Sequence, residues 1–308
     1  MKILFTGASS FTGFWFVNLL SAAGHEIVCP LTKDLPDYPE TRSRRLKQLE
    51  PICHFIPHAP FGSDQFLHAV QKNNFDLLCH HGADVTNYKS PDFDAHRALH
   101  NNTRNLQTVL VSMKQQGLKA VILTGTVFEN DEGAGTEPLC AASPYGQSKG
   151  LTFQTFRDQC GAANVALGKF VIPNPFGPFE EARFTAYLMR SWQAGKVAEV
   201  KTPDYVRDNI HVDLLAAVYA KFAREIYGAN VHLLKINPSG YIESQGEFAQ
   251  RVACEVKSRT SWACELKLSR QIDFSEPIKR INTQPAAKVV PDWTEAAAWD
   301  AFADFYSQ

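Results

Sequence analysis

The chain lacks the features that mark several classes of protein. Its seven cysteines (29, 53, 79, 140, 160, 254 and 264) are odd in number and scattered, with no C-x-x-C spacing. That speaks against a disulfide framework or a zinc or redox site, and for free thiols in a reducing cytoplasm. Neither charge is in surplus: 31 Lys and Arg against 32 Asp and Glu leave a net charge of −1. Nothing therefore steers the chain onto a nucleic acid backbone or an anionic membrane. No stretch approaches the roughly 20 apolar residues of a membrane-spanning helix. Met1-Lys2 leads at once into Ile3-Leu4-Phe5, without the longer apolar core and cleavage site of a secretory signal. Low-complexity tracts and internal repeats are absent, and no metal site is expected.

What the chain has is apolar content and alternation. With 308 residues, 44% of them hydrophobic, it can build one large α/β unit or two linked lobes. Short apolar runs at Ile3–Thr6, Glu26–Leu31, Asp76–His81, Ala120–Thr124 and Ala166–Ile172 read as strands. Helical spacing falls between them, at Phe11–Ala23, Asp64–Gln71, about Asp94–Gln116, and from Pro144 onward. Gly24 and Gly117 are stop signals. Strands separated by helices of this length imply a parallel, doubly wound sheet with right-handed crossovers. After Asn174 the alternation gives way to helical stretches near 183–194, 213–226 and 246–257, and one strand-like run, Val231–Ile236. We expect a dinucleotide lobe over residues 1–173, with 207–236 returning to it. Residues 174–206 and 237–308 form a smaller interleaved lobe, with the substrate cleft between the two.

The segment Thr6-Gly7-Ala8-Ser9-Ser10-Phe11-Thr12-Gly13 joins the first strand to the first helix. Glycine permits a tight turn and close backbone approach, and the helix N-terminus offers free N–H groups and partial positive charge to phosphates. Gly7, Ser9, Ser10, Phe11, Thr12 and Gly13 are thus candidate ligands of a dinucleotide. Ser10 stands where the glycine pattern has its middle member, and its hydroxyl could donate to phosphate. An ordinary strand–turn–helix connection is the plain alternative. The second strand ends Val28-Cys29-Pro30-Leu31-Thr32-Lys33-Asp34, with no carboxylate at the place that would hold the ribose hydroxyl of NAD. Thr32 and Lys33 would suit a 2′-phosphate, so the cofactor expected is NAD(P), leaning to NADP. Arg42, Arg44 and Arg45 read as a solvated helix face.

Ser143-Pro144-Tyr145-Gly146-Gln147-Ser148-Lys149 starts a later helix. Tyr145 and Lys149 are four residues apart and share a face. A tyrosine has a pKa of about 10, and a nearby ammonium favours its phenolate. That tunes it for acid–base work near neutrality. A hydroxyl at a neighbouring strand end would fix the substrate oxygen: Thr124, or failing that Thr126.

Together these segments resemble an extended short-chain dehydrogenase/reductase of the NAD-dependent epimerase/dehydratase type, which works on nucleotide sugars. Asp76-Leu77-Leu78-Cys79-His80-His81-Gly82-Ala83 is similar to the family's D-x-V-x-H-x-A-A strand beside the cofactor. Asn102-Thr103-Arg104-Asn105-Leu106 resembles G-T-x-N-L, Pro173–Pro178 resembles R-x-x-N-x-Y-G-P, and Arg207–Asp213 resembles R-D-F-I-H-V-D-D. The resemblance implies a Rossmann-like doubly wound α/β fold with a smaller C-terminal substrate lobe. It implies Thr124, Tyr145 and Lys149 as the catalytic trio and His81, Gly82 and Ala83 beside the cofactor. Asn174 and Arg207 would then bind the substrate diphosphate. Plainer roles compete. Asp213 would cap a helix, His211 would satisfy local backbone, and at least one of His80 and His81 would pack.

Sugar dehydratases of this family carry Asp-Glu directly after the catalytic Thr. Here Thr124 is followed by Gly125-Thr126-Val127-Phe128, with Glu129, Asp131 and Glu132 only nearby, and Leu99 replaces a family Asn. The expected activity is therefore that of a cytoplasmic epimerase or 4-ketoreductase, with a homodimer left open. The alternatives are a reductase of a small non-nucleotide alcohol or ketone, and a non-catalytic dinucleotide sensor.

Overall fold

The computed structural model describes all residues 1–308. β1 (Lys2–Thr6) is almost wholly buried, and Ser10 caps α1 (Phe11–Ala22) by accepting the Gly13 N–H. Gly24, at φ +80°, follows the end of α1. Next come β2 (Glu26–Pro30), α2 (Glu40–Leu49), β3 (His54–Ile56), α3 (Asp64–Lys72) and β4 (Leu77–His80). They are followed by α4 (Ala95–Thr103), α5 (Leu106–Gln115), β5 (Ala120–Thr126), β6 (Ala134–Gly135), α6 (Pro144–Ala162) and β7 (Ala166–Ile172). The rest contains β8 (Asn174–Phe176), α7 (Phe184–Gln193), β9 (Ala198–Val200), β10 (Val206–His211), α8 (Val212–Gly228), β11 (Leu233–Ile236), β12 (Pro238–Ser239), β13 (Tyr241–Ser244) and α9 (Gln245–Lys257). No helix is long and apolar enough to cross a membrane.

The chain forms two compact units. The first comprises Met1–Glu132, Cys140–Ile172 and Tyr219–Ile236. Its seven strands are parallel, in the order β11-β7-β5-β4-β1-β2-β3. Register places Thr6 beside His80, and His80 beside Leu123, so the carboxyl ends of the central strands are level. That is the edge where open α/β sheets bind ligands. On one face Leu4, Leu78, Val121 and Leu123 pack with Phe66, Val109 and Phe156 from α3, α5 and α6. On the other the filling is aromatic: Phe16 stacks on Tyr219 at 4.1 Å, and Phe170 sits edge-on to both.

The second unit comprises Gly133–Leu139, Pro173–Val218 and Asn237–Gln308. β10 pairs with β8, β13 and the strand Lys279–Ile281. The core holds Phe176, Leu188, Trp192, Phe248, Trp299 and Phe302.

Several expectations need correction. The helix expected over 94–116 is two helices, broken at Asn105, whose φ is +52°. Asparagine tolerates this left-handed conformation, and its Nδ2 donates to the Gly62 carbonyl at 2.9 Å. The chain returns to the first unit at Tyr219 rather than 207, because residues 206–211 form a strand of the second unit. Arg207 therefore lies on a strand. Arg45 is fully buried rather than solvated. It shares the inward face of α2 with Leu46 and Leu49 and donates to the Ser9 carbonyl at 3.1 Å.

Candidate active site

The loop after β1 is as tight as its glycines suggest. Gly7 has φ +82°, and a Cβ there would lie 2.7 Å from the Gly82 nitrogen. A Cβ with ideal geometry on Gly13 would stand 2.2 Å from the Gly7 oxygen. Ser10 Oγ donates to the Gly7 carbonyl (2.8 Å) and accepts from the Gly13 amide (3.1 Å). Its one hydrogen is spent inside the chain, so the phosphate contact expected of this hydroxyl is not available. The amides of Phe11 and Thr12, in the first turn of α1, have no intrahelical carbonyl to bond. They stand at the positive end of the helix, and with this close-packed turn they fit a dinucleotide pyrophosphate. Arg45, over the Phe11 ring at 5.8 Å, adds buried positive charge behind the loop.

Beyond β2, Tyr38 Oη takes the Thr32 N–H at 3.0 Å and meets the Thr32 hydroxyl at 3.1 Å. Lys33 Nζ lies over the Tyr38 ring, 5.3 Å from its centroid. Asp34, the nearest carboxylate, is paired with His58 at 2.9 Å.

The two histidines after β4 play different parts. His80 is buried, against the rings of Phe61 (4.1 Å) and Phe156 (5.0 Å). Its Nε2 donates to the Asn102 carbonyl at 3.1 Å, so Nδ1 accepts from Thr6 Oγ1 at 3.1 Å. The packing role expected for one of the pair is thus its own. His81 instead joins three segments. Nδ1 lies 3.0 Å from Thr124 Oγ1, and Nε2 lies 3.0 Å from both Ser10 Oγ and Thr12 Oγ1. Gly82 donates its amide to Thr6 Oγ1 at 2.9 Å. Asn102 Oδ1 accepts the Asp84 amide at 2.8 Å, which holds the stretch that includes Ala83.

Thr124 ends the apolar part of β5 and is buried. Thr126 is partly exposed, and its amide donates to Glu129 Oε1 at 2.7 Å. Glu129 Oε2 and Glu132 Oε1 both accept from Lys169 Nζ, at 2.7 and 2.6 Å. The Lys169 ammonium is 3.8 Å from the centroid of the Phe153 ring. On α6, Ser143 Oγ accepts the Gly146 amide at 3.2 Å and Pro144 starts the first turn. Tyr145 lies edge-on to Tyr88 (5.4 Å) and Phe93 (5.8 Å). Lys149, one turn on, is buried; burial brings its ammonium down to about 8, opposed by Glu129 and reinforced by Lys169. The bonds of Arg45, of Asn102 and of the Glu129–Lys169 pair were not foreseen from the sequence. Arg45 could have been found from its place beside Leu46 and Leu49 on one helix face. The other two have partners distant in the chain and leave no local signal.

In the second unit, Asn174 opens β8 opposite Asn209 of β10. Arg207 pairs with Glu276 at 2.9 Å, donates to the carbonyls of Val206, Pro277 and Ile278, and lies over the Tyr205 ring. Asp213 sits in the first turn of α8 and accepts from Trp293 Nε1 at 3.0 Å. His211 does not serve the backbone as expected. It is enclosed by Phe176 (4.4 Å), Trp299 (4.5 Å), Trp293 and Tyr241, with Nε2 unpartnered, and burial lowers its pKa to about 3.

Solved structures with this fold include a UDP-glucuronic acid 4-epimerase variant from Bacillus cereus, in complex with UDP-4-deoxy-4-fluoro-glucuronic acid and NAD. It has a TM-score of 0.76 at 18% identity, over 100% of this chain and 99% of that one. The UDP-glucose 4-epimerase of Thermotoga maritima, with UDP-glucose, gives 0.76 at 16% identity over 100% and 99%. The dTDP-glucose 4,6-dehydratase DesIV of Streptomyces venezuelae, with NAD and TYD, gives 0.73 at 16% over 100% and 97%. No curated protein is a significant sequence match. Residues 3–232 match the family model described as NAD dependent epimerase/dehydratase, and the chain belongs to that family, of the extended short-chain dehydrogenase/reductase type.

Proposed function

We propose that the chain is an epimerase or 4-ketoreductase acting at a carbinol carbon of a nucleotide-linked sugar. The observation that carries this reading is the first turn and a half of α6, where Tyr145 and a buried Lys149 stand one turn apart. Tyr145 removes or returns the substrate hydroxyl proton. Lys149 stabilises the phenolate, and Thr124, with the more accessible Thr126 as second candidate, holds the substrate oxygen. A nicotinamide dinucleotide held at Gly7, Ser9, Phe11, Thr12, Gly13 and His81–Ala83 would supply hydride acceptance and return. A dehydratase is disfavoured, because Glu129 and Glu132 are bound to Lys169.

For the cofactor we retain the lean to NADP. Thr32 and Lys33 follow β2, and Asp34 is engaged by His58. NADP(H) should bind at least as tightly as NAD(H) in calorimetric titrations of the apo protein. A clear preference for NAD would place the ribose site elsewhere and make Asp34 the residue to replace next.

Asn174 and Arg207 are proposed to hold the nucleotide diphosphate, Arg207 through a fork of donors suited to phosphate. Arg207→Ala should then weaken affinity for UDP or dTDP and raise the Michaelis constant for the sugar, with dinucleotide binding unchanged. One observation favours the second reading, a small alcohol or ketone. The Arg207 guanidinium is already engaged by Glu276 and three carbonyls. On that reading the variant loses melting temperature and keeps its nucleoside diphosphate affinity. Both quantities should be measured on the same sample.

A further inference from the structure

We infer that His81 is a positioning residue that takes the Thr124 hydroxyl proton on Nδ1 and donates from Nε2 to the dinucleotide loop, leaving Thr124 only lone pairs to offer a substrate. The inference rests on the reading of Thr124 as the hydroxyl beside the reacting carbon.

The tautomer follows from counting hydrogens. A serine hydroxyl has one hydrogen and two acceptor sites. The Ser10 hydrogen goes to the Gly7 carbonyl at 2.8 Å, and one lone pair takes the Gly13 amide at 3.1 Å. The 3.0 Å contact with His81 Nε2 is therefore attractive only if Nε2 carries a hydrogen. Thr12 Oγ1, also 3.0 Å from Nε2, shares it. A neutral imidazole protonated on Nε2 has a bare Nδ1, which accepts from Thr124 Oγ1 at 3.0 Å.

The ring stays neutral because of what surrounds it. Phe5 and Phe16 pack against it at 5.7 and 5.2 Å. Ser10, Thr12 and Thr124 are uncharged, and the charged group within reach is the Lys149 ammonium of α6. Burial, and then that ammonium, push His81 down to about 3. The one-donor, one-acceptor pattern consequently persists at working pH.

The consequence is chemical. A Thr124 whose hydrogen is committed to His81 has none to donate to a substrate oxygen. The proton of that oxygen is then left to Tyr145. The same imidazole ties the start of α1 to the ends of β4 and β5, so its loss should be felt in dinucleotide binding.

The test is nitrogen-15 NMR of the histidine rings between pH 6 and 9, with His81→Phe to assign the signals. The expected result is a non-titrating His81 protonated on Nε2, whose Nδ1 resonance shifts in Thr124→Val. NADH and NADPH affinities of His81→Phe, which keeps an aromatic ring, should fall about tenfold, the size of a lost hydrogen bond. Protonation on Nδ1, titration in this range, or an Nδ1 resonance indifferent to Thr124→Val would overturn the inference. Unchanged dinucleotide affinity in His81→Phe would overturn the link to the loop. None of these readings uses a sugar, so failure to turn over nucleotide sugars would count against the proposed function and leave this inference standing.

Discussion

Tyr145→Phe is expected to lower turnover by about 100-fold or more, the usual size of an acid–base contribution. A phenol with an ordinary pKa of about 10 is a poor base at neutrality. On the proposed mechanism, the Lys149 ammonium one turn along the helix would favour the phenolate. Phenylalanine keeps the ring that lies edge-on to Tyr88 and Phe93. Dinucleotide affinity and melting temperature should therefore stay near their original values. Turnover and affinity measured on one preparation decide the matter, and near-normal turnover would remove Tyr145 from the chemistry.

The largest expected effect on stability is at Lys169. Its side chain is 2% exposed, between Glu129 and Glu132 at 0% and 5%. Replacing it with methionine leaves two buried carboxylates without their shared cation. Removing one partner of a buried pair costs about 3–5 kcal/mol, because the remaining charge is uncompensated. Lys235 offers an internal comparison: it also reaches Glu132, at 3.2 Å, but is 42% exposed. Exposed pairs contribute about 1 kcal/mol or less, so Lys235→Ala should cost little. Urea unfolding of both variants checks the contrast. A loss below about 1 kcal/mol for Lys169→Met would mean that water or rearrangement compensates the carboxylates.

The first unit was legible because its signals are local. Apolar runs, helical spacing and the stops at Gly24 and Gly117 act over a few residues, and Val231–Ile236 contained the strand that returns to the sheet. The break at Asn105 was hidden because apolar spacing continues through it; the left-handed turn is settled by a bond to Gly62, 43 residues away in the chain. β10 left no local mark, because Arg207, Asp208 and Asn209 are polar. Its partners come from β8, β13 and Lys279–Ile281, and no short window contains them. At the candidate site the sequence named residues but not their bonds. Lys169 meets Glu129 and Glu132 across 40 and 37 residues, and His81 reaches Ser10 across 71.

The central claim is that this chain performs tyrosine-assisted chemistry on a nucleotide-linked sugar. The most direct measurement incubates the purified protein with NAD or NADP and a panel of nucleotide sugars. It follows the absorbance of reduced nicotinamide and the configuration of the recovered sugar. The account predicts that at least one nucleotide sugar is epimerised, oxidised or reduced, and that Tyr145→Phe binds the dinucleotide but does not convert the sugar. A wild-type protein that binds the dinucleotide and leaves every nucleotide sugar unchanged would contradict it.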